Sequence, residues 1–186
     1  MYTPSARSVK NRWYQFNGLT TTADILSKRH YALPEQGCAT TAIIEFGKGT
    51  RKSSSVERKL CEFLTSKGYE VDRYSRISAC AEPFTVDGIP IHLSPDLLVN
   101  ERVVVEVDVP AELGGGPTHN FGFPARDMVR MDFFRAAGLD TVSVRLFGLD
   151  EIPDHISIMD NGGLGVSTME SVNTELARLL SAWDST

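Results

Sequence analysis

The sequence predicts an α/β protein with a mixed central sheet of about four to five strands flanked by helices. Two observations support this class. Three segments carry apolar residues at the spacing of an amphipathic helix, and the segments between them are rich in β-branched residues or alternate in polarity. Their order along the chain is helix, three strands, helix, strand, helix. Elements in this order favour a sheet that buries its faces against helices.

The first helix is predicted within residues 53–69, where Val56, Leu60, Phe63 and Leu64 fall on one face and Gly68 ends the pattern. Strands are predicted in residues 69–77, 83–99 and 102–109. An Asp-Gly turn signal interrupts the second of these segments, and the pair 96–100 and 102–109 is expected to form the central hairpin. These strands should therefore be antiparallel.

A Gly-rich segment follows at residues 111–124 and is predicted to be a loop. A second helix is predicted from Pro124 to Gly138, followed by a strand over residues 139–147. A third helix is predicted over residues 167–183, with Ser167 and Glu170 spaced as a capping box.

The chain of 186 residues is long enough for one domain with its own core. Its charge is uneven: residues 1–60 carry +6 and residues 61–186 carry −11. We therefore divide the chain into a basic N-terminal extension (1–52) and an α/β domain (53–186). The basic segment is compatible either with phosphate contacts or with a solvated tail, and the acidic body is compatible with cation binding. The sequence has no long apolar run and no secretory h-region, so a cytoplasmic location is expected.

Three carboxylates interrupt the Val-rich chain between residues 94 and 110: Asp96, Glu106 and Asp108. Side chains alternate along a strand, so Glu106 and Asp108 should project from one face while Val105 and Val107 project from the other. The sequence does not set the register of the hairpin. If Asp96 falls on the same face, three carboxylates converge.

A cluster of this kind is unfavourable without a cation, because neighbouring carboxylates oppose each other's ionisation. Oxygen ligands of this type suit Mg²⁺ or Mn²⁺. A bound divalent ion activates water and stabilises the leaving oxygen in phosphodiester hydrolysis. The alternative is that these acids simply face solvent near strand ends.

Pro95–Asp96 followed by Glu106–Val107 resembles the motif of the PD-(D/E)XK nuclease superfamily. The match continues into a branch similar to the small very-short-patch-repair endonucleases, through Glu106–Val107–Asp108, His119 and a helix with Asp127, Arg130, Phe134 and Gly138. The similarity covers residues 53–147. It implies a restriction-endonuclease-like core and a metal site at Asp96, Glu106 and Asp108.

The chain departs from the superfamily at two positions. Asp108 stands where the motif usually has Lys, and Val109 stands where the branch usually has Gly. The resemblance implies that the Lys orients or activates the attacking water, so its role would pass to a histidine. His119 is the first candidate by its position in the loop, and His92 is the second.

Other candidate site residues each have two interpretations. Glu57 matches the helix acid of the superfamily, but it also has the spacing of a capping-box partner for Ser54. Arg126 and Arg130 are candidates for phosphate contacts, whereas Asp127–Arg130 also has the spacing of a surface ion pair on a helix. The basic residues at the boundary of the domain are expected to contact backbone phosphates; they are Arg51, Lys52, Arg58 and Lys59.

The predicted function is a Mg²⁺- or Mn²⁺-dependent DNA endonuclease. The first alternative is a nuclease-like subunit without catalysis that binds nucleic acid or assembles into a larger complex. The second alternative is an enzyme that uses the acids as general acid and base without a metal. DNA is the expected partner, and cutting both strands with one site per chain would favour a homodimer.

Overall fold

The computed structural model describes residues 43–49, 54–78, 85–86, 89–110, 113 and 125–185. It confirms the predicted α/β class. The strands are β1 (Ile43–Glu45), β2 (Val71–Asp72), β3 (Arg76–Ser78), β4 (Thr85–Val86), β5 (Ile89–Pro90), β6 (Leu97–Val99), β7 (Val103–Asp108), β8 (Asp140–Arg145) and β9 (Ile156–Met159). The helices are α1 (Ser55–Ser66), α2 (Ala125–Ala136) and α3 (Val166–Trp183).

The main sheet has five strands in the order β2-β6-β7-β8-β9. Strands β2, β6 and β7 are antiparallel, whereas β7, β8 and β9 are parallel, so the sheet is mixed as predicted. Two small antiparallel pairs accompany it, β1 with β3 and β4 with β5. β1 lies within the predicted N-terminal extension and joins the rest of the chain through β3. The predicted hairpin is confirmed, and β7 is the central strand.

Helix α1 begins at a complete capping box. The Ser54 hydroxyl accepts from the Glu57 backbone N–H at 3.1 Å, and the Glu57 carboxylate accepts from the Ser54 N–H at 3.2 Å. Two N–H groups that the first helical turn leaves without partners are thereby satisfied. Gly68, at φ +94, follows the helix in a conformation that favours glycine.

The odd-numbered valines of β7 form the main core with α1 and α3. Val103, Val105 and Val107 pack in one buried cluster whose other members come from β6, β8 and the two helices; these include Leu60, Leu64, Leu97, Val99, Val142, Val144, Met169, Val172 and Leu176. The predicted parity of β7 is therefore confirmed on its apolar side. The even-numbered residues face the opposite side, which α2 covers through contacts with β8 and with β7.

Two details of the sequence prediction are wrong. The capping box predicted at Ser167 and Glu170 does not form, because α3 starts one residue earlier and its N-cap is Gly165, which makes no side-chain cap bond. Thr168 instead donates to the carboxylate of Asp160, which lies just after β9. β9 itself was not predicted, although it completes the sheet edge next to β8.

In the described part of the chain, no helix has the length and apolar character needed to cross a membrane.

Candidate functional site: a buried carboxylate and arginine network

The turn between β6 and β7 places Asp96 beside Glu106. Asn100 and Glu101 both have positive φ, at 48° and 57°, and the Arg102 N–H donates to the Val99 carbonyl at 3.0 Å. The register then pairs Val99 with Val103 and Leu97 with Val105. Because the strands are antiparallel, the residue before Leu97 lies opposite the residue after Val105, so Asp96 lies opposite Glu106. Asp96 therefore falls on the face of Glu106 and Asp108.

Hydrogen bonds join the two opposed acids across the hairpin. The backbone N–H of Asp96 donates to Oε1 of Glu106 at 3.3 Å, and Oδ2 of Asp96 accepts from the Val107 N–H at 2.8 Å. Both carboxylates are buried, with 3% and 5% of their surface exposed. The carboxylate pair is consequently fixed to the backbone of both strands.

Arg130 of α2 binds Glu106 through two of its nitrogens. Nη2 lies 2.8 Å from Oε2 and 2.9 Å from Oε1, and Nε lies 3.2 Å from Oε2. Nη2 also donates to the Ser94 carbonyl at 2.9 Å, and the guanidinium lies 5.7 Å from the centre of the Phe134 ring. A two-nitrogen contact of this kind is among the stronger ion pairs found in proteins. Arg130 is buried, so its ion pair with Glu106 does not lie on the surface of the helix.

Asp108 belongs to a second ion pair, centred on Arg145. Nη1 of Arg145 donates to Asp108 at 2.9 Å and to Asp127 at 3.0 Å, and the Ser143 hydroxyl donates to Asp108 at 3.1 Å. Nε of Arg145 donates to the Asp150 carbonyl at 2.8 Å. The Arg145 side chain is fully buried. The spacing of Asp127 and Arg130 in the sequence indicated a possible ion pair on the helix surface. In the structure Asp127 forms a buried ion pair with Arg145 of β8, and Arg130 forms one with Glu106 of β7.

Six charged groups meet in this network among the described residues. Four carboxylates (Asp96, Glu106, Asp108 and Asp127) lie beside the guanidiniums of Arg130 and Arg145, and all six residues are at most 8% exposed. Carboxylate oxygens are the type of ligand that Mg²⁺ and Mn²⁺ prefer.

The arrangement of these donors is nevertheless not that of a loaded metal site. Within the ranges described, no three His, Cys, Asp or Glu side chains are grouped so that they could hold a metal ion. Arginine nitrogens contact two of the three predicted ligands, Glu106 and Asp108. A cation would have to share or replace these contacts.

The other predicted residues on α1 lie apart from this network. Glu57 is buried in the capping box, and α1 packs against the opposite face of the sheet. Lys59 donates to the Leu164 carbonyl at 2.6 Å, which ties α1 to the segment before α3. Arg58 is exposed on the same helix.

Of the two candidate histidines, only His92 is described. Its Nδ1 lies 2.6 Å from the Ser78 hydroxyl, next to the bridge between Ile77 and Leu93. His119, Arg51 and Lys52 lie outside the described residues, as does the side chain of Arg126. Their predicted roles stay predictions.

Arg145, Asp127 and Ser143 were not predicted as partners of the acids. Part of this arrangement was visible in the sequence. Polar residues alternate with valines along β8, which places Thr141, Ser143 and Arg145 on one face of the strand. What the sequence did not contain was the parallel register, which sets Ser143 beside Glu106 and Arg145 beside Asp108.

Comparison of this chain with protein-family models, with curated proteins and with solved structures found no match.

Proposed function

We propose that this chain is a divalent-metal-dependent endonuclease that acts on DNA. The observation that carries the proposal is the convergence of Asp96, Glu106 and Asp108 on one buried face of the β6–β7 hairpin. Carboxylate oxygens are the type of ligand that Mg²⁺ and Mn²⁺ prefer.

The order of elements gives further support. Helix α1 comes before β2, β6 and β7, the antiparallel strands of the main sheet; Pro95–Asp96 directly precedes β6, and Glu106 lies on β7. Helix α2 and the parallel strand β8 follow. This order is the one that the resemblance to PD-(D/E)XK nucleases implies.

In this proposal Asp96 and Glu106 hold the metal ion. Asp108 supports them from the next position on the same face of β7, where Arg145 fixes its carboxylate. A bound Mg²⁺ or Mn²⁺ would supply an activated water and stabilise charge on the leaving oxygen. His119 is proposed to assist the attacking water, with His92 as the second candidate. Glu57 is assigned to the helix cap, because its carboxylate already accepts the Ser54 N–H.

Contact with DNA is proposed to involve the basic residues near the start of α1. Arg58 is exposed on this helix, and Arg51 and Lys52 precede it in the sequence. Phosphate contacts release counterions, so affinity for DNA should fall steeply with salt.

One observation favours a second function. The contact of Arg130 with Glu106 through Nη2 and Nε neutralises a predicted metal ligand, as would be expected in a nuclease-like subunit that binds nucleic acid without cutting it. Asp108 stands where the motif usually has Lys, and the absence of this Lys also favours a subunit without catalysis.

Plasmid cleavage distinguishes the two functions. Supercoiled DNA is incubated with the wild-type protein in Mg²⁺ or Mn²⁺, and Asp96→Asn and Glu106→Gln are compared with Glu62→Gln, which removes an exposed acid from α1. We expect nicking by the wild type and by Glu62→Gln, and a loss of at least about a hundredfold in the two site variants. DNA binding without cleavage by the wild type in either metal would favour the non-catalytic subunit.

A further inference from the structure

We infer that a pocket at the β2 edge of the main sheet is a docking site for a basic segment of a partner protein, whose lysine or arginine side chain enters the pocket. Six residues line this edge pocket: Phe46, Glu70, Val71, Asp72, Leu98 and Glu101. None of them belongs to the buried carboxylate and arginine network. The inference is therefore independent of the proposed metal-dependent function.

The edge pocket lies where strand β2 meets the hairpin turn. Asp72 of β2 pairs with Leu98 of β6 in the antiparallel register. The Asn100 N–H donates to the Glu70 carbonyl at 2.8 Å, and Oδ1 of Asn100 accepts from the Glu70 N–H at 2.9 Å. These bonds tie the residue before β2 to the turn that carries Glu101. Carboxylates from two segments of the chain thus lie around one pocket.

The size of the edge pocket and its apolar residues suit a single long side chain. Its volume is about 170 Å³, whereas pockets for drug-sized ligands take about 300–1,000 Å³. Leu98 is buried and Val71 is half-buried, while the Phe46 side chain is 52% exposed. Lysine and arginine pack their apolar stems on surfaces of this kind and keep the charged head in water.

The charge of the edge pocket selects a cation. Three of its six lining residues are acids and none is basic. Asp72 accepts from the Tyr74 N–H at 3.1 Å and from the Ser75 hydroxyl. Glu70 and Glu101 are exposed, and in the described part of the chain no hydrogen bond or ion pair engages their side chains. These acids attract an ammonium or guanidinium group and repel the phosphates of DNA.

The aromatic ring of the edge pocket adds to this preference. A cation over the face of a phenylalanine ring is attracted by the ring, most strongly for lysine and arginine heads that approach it closely. Among the described residues, Phe46 makes no such contact with a cation of this chain. An exposed ring beside unpaired carboxylates is thus available to a cation from another molecule.

The position of the pocket at a sheet edge favours a protein segment over a free amine. Among the strands that the structure describes, β2 pairs with β6 alone. Extended peptides add to exposed sheet edges through backbone hydrogen bonds, and pockets beside the edge receive alternate side chains. An extended segment with lysine or arginine at alternate positions therefore fits both the edge and the pocket.

Peptide binding by the wild-type protein gives the first test. The ¹⁵N-labelled chain is titrated in NMR with a synthetic peptide in which Lys alternates with Thr and Val. The matched probes are the same peptide with norleucine in place of Lys, butylamine, and a single-stranded oligothymidine. We expect the Lys peptide to shift the amide signals of Glu70, Val71, Asp72 and Glu101. The other three probes should leave these signals unchanged at the same concentration.

Variants of exposed residues locate the binding site. Exposed ion pairs and exposed cation–π contacts are each weak, so Glu70→Gln, Glu101→Gln and Phe46→Leu should each lower the affinity for the Lys peptide by about two- to fivefold. Glu62→Gln removes an exposed acid from α1 and should leave the affinity unchanged. Urea midpoints equal to that of the wild type confirm that each variant is folded.

Three outcomes would overturn the inference. No shift of the pocket amides at saturating Lys peptide would show that the edge pocket is not a docking site. An equal loss of affinity in Glu62→Gln and Glu70→Gln would assign the binding to the net charge of −5 rather than to the pocket. Shifts of the same amides by oligothymidine, or by butylamine as readily as by the peptide, would exclude a basic protein segment as the specific occupant.

Discussion

Arg145 of β8 lies opposite Asp108 of β7 in the parallel register, and its Nη1 donates to the Asp108 carboxylate at 2.9 Å. The same nitrogen donates to Asp127 of α2 at 3.0 Å. One fully buried guanidinium thus joins two strands and the helix that covers them. It also fixes the orientation of Asp108.

The first prediction is that Arg145 contributes strongly to the stability of the fold. Arg145→Met leaves Asp108 and Asp127 buried without their shared cation, and breaking a buried pair in this way costs about 3–5 kcal/mol of unfolding free energy. Urea denaturation followed by circular dichroism measures the loss. Arg135→Met is the control, because its guanidinium is exposed and its removal should change stability by no more than about 0.5 kcal/mol. Equal stability of the two variants would show that the network is not structural.

The second prediction concerns Glu57 and separates its two interpretations. Ser54→Ala should lower the unfolding free energy by about 1 kcal/mol, because the Glu57 N–H loses its acceptor. Glu57→Gln should keep the stability of the wild type, because glutamine serves in a capping box as glutamate does. We also expect its Mn²⁺ affinity to be unchanged. A variant that folds normally but binds Mn²⁺ more weakly would restore Glu57 as a metal ligand.

The third prediction tests the packing of α1 on the sheet. Leu60 is fully buried against the valines of β7, so Leu60→Ala should lower the unfolding free energy by about 2–5 kcal/mol through lost burial and a residual cavity. Val166→Ala serves as the comparison, since 69% of this residue is exposed. It should stay within about 0.5 kcal/mol of the wild type. A small effect at Leu60 would mean that α1 is not docked as described.

The fourth prediction is a pH effect at the start of α3. The Thr168 hydroxyl, and secondarily the Gly162 N–H, hold the pKa of Asp160 below its ordinary value. A carboxyl whose pKa is lowered by folding binds protons more readily in the unfolded state, so its contribution to stability is present above the ordinary pKa and is lost as the pH falls through the folded one. Thr168→Val should therefore raise the pKa of Asp160.

Two measurements check this effect. The ¹³C shift of the Asp160 carboxyl, followed between pH 6 and pH 2, gives its pKa in the wild type and in Thr168→Val. The difference in urea midpoint between the two proteins should narrow as the pH falls across this range. Thr174→Val, which removes an exposed hydroxyl bound to the Glu170 carbonyl, should leave the pKa of Asp160 unchanged. A pKa of Asp160 that is the same in all three proteins would contradict the assignment.

The sequence was sufficient to predict the α/β class and the face on which Glu106 and Asp108 lie. Alternation along β7 depends only on strand geometry, and six successive residues of one strand carry the pattern clearly. The turn at Asn100 and Glu101 was also predicted, but its positive φ angles, which decide that Asp96 joins the same face, were not.

The partners of the acids could not be predicted, because they depend on contacts between distant segments. Arg130 and Glu106 are separated by 24 residues, and Arg145 and Asp108 by 37. Local spacing instead indicated Asp127 as a partner of Arg130. β9 was missed because its four residues, ISIM, follow a Pro-containing turn and are too few to show a period.

The most direct test of the metal-dependent function is a crystal structure of the wild-type protein soaked with Mn²⁺, measured with anomalous scattering. We expect one anomalous peak within about 2.0–2.4 Å of carboxylate oxygens of Asp96 and Glu106. The absence of any anomalous peak at these oxygens at saturating Mn²⁺ would contradict the metal-dependent function.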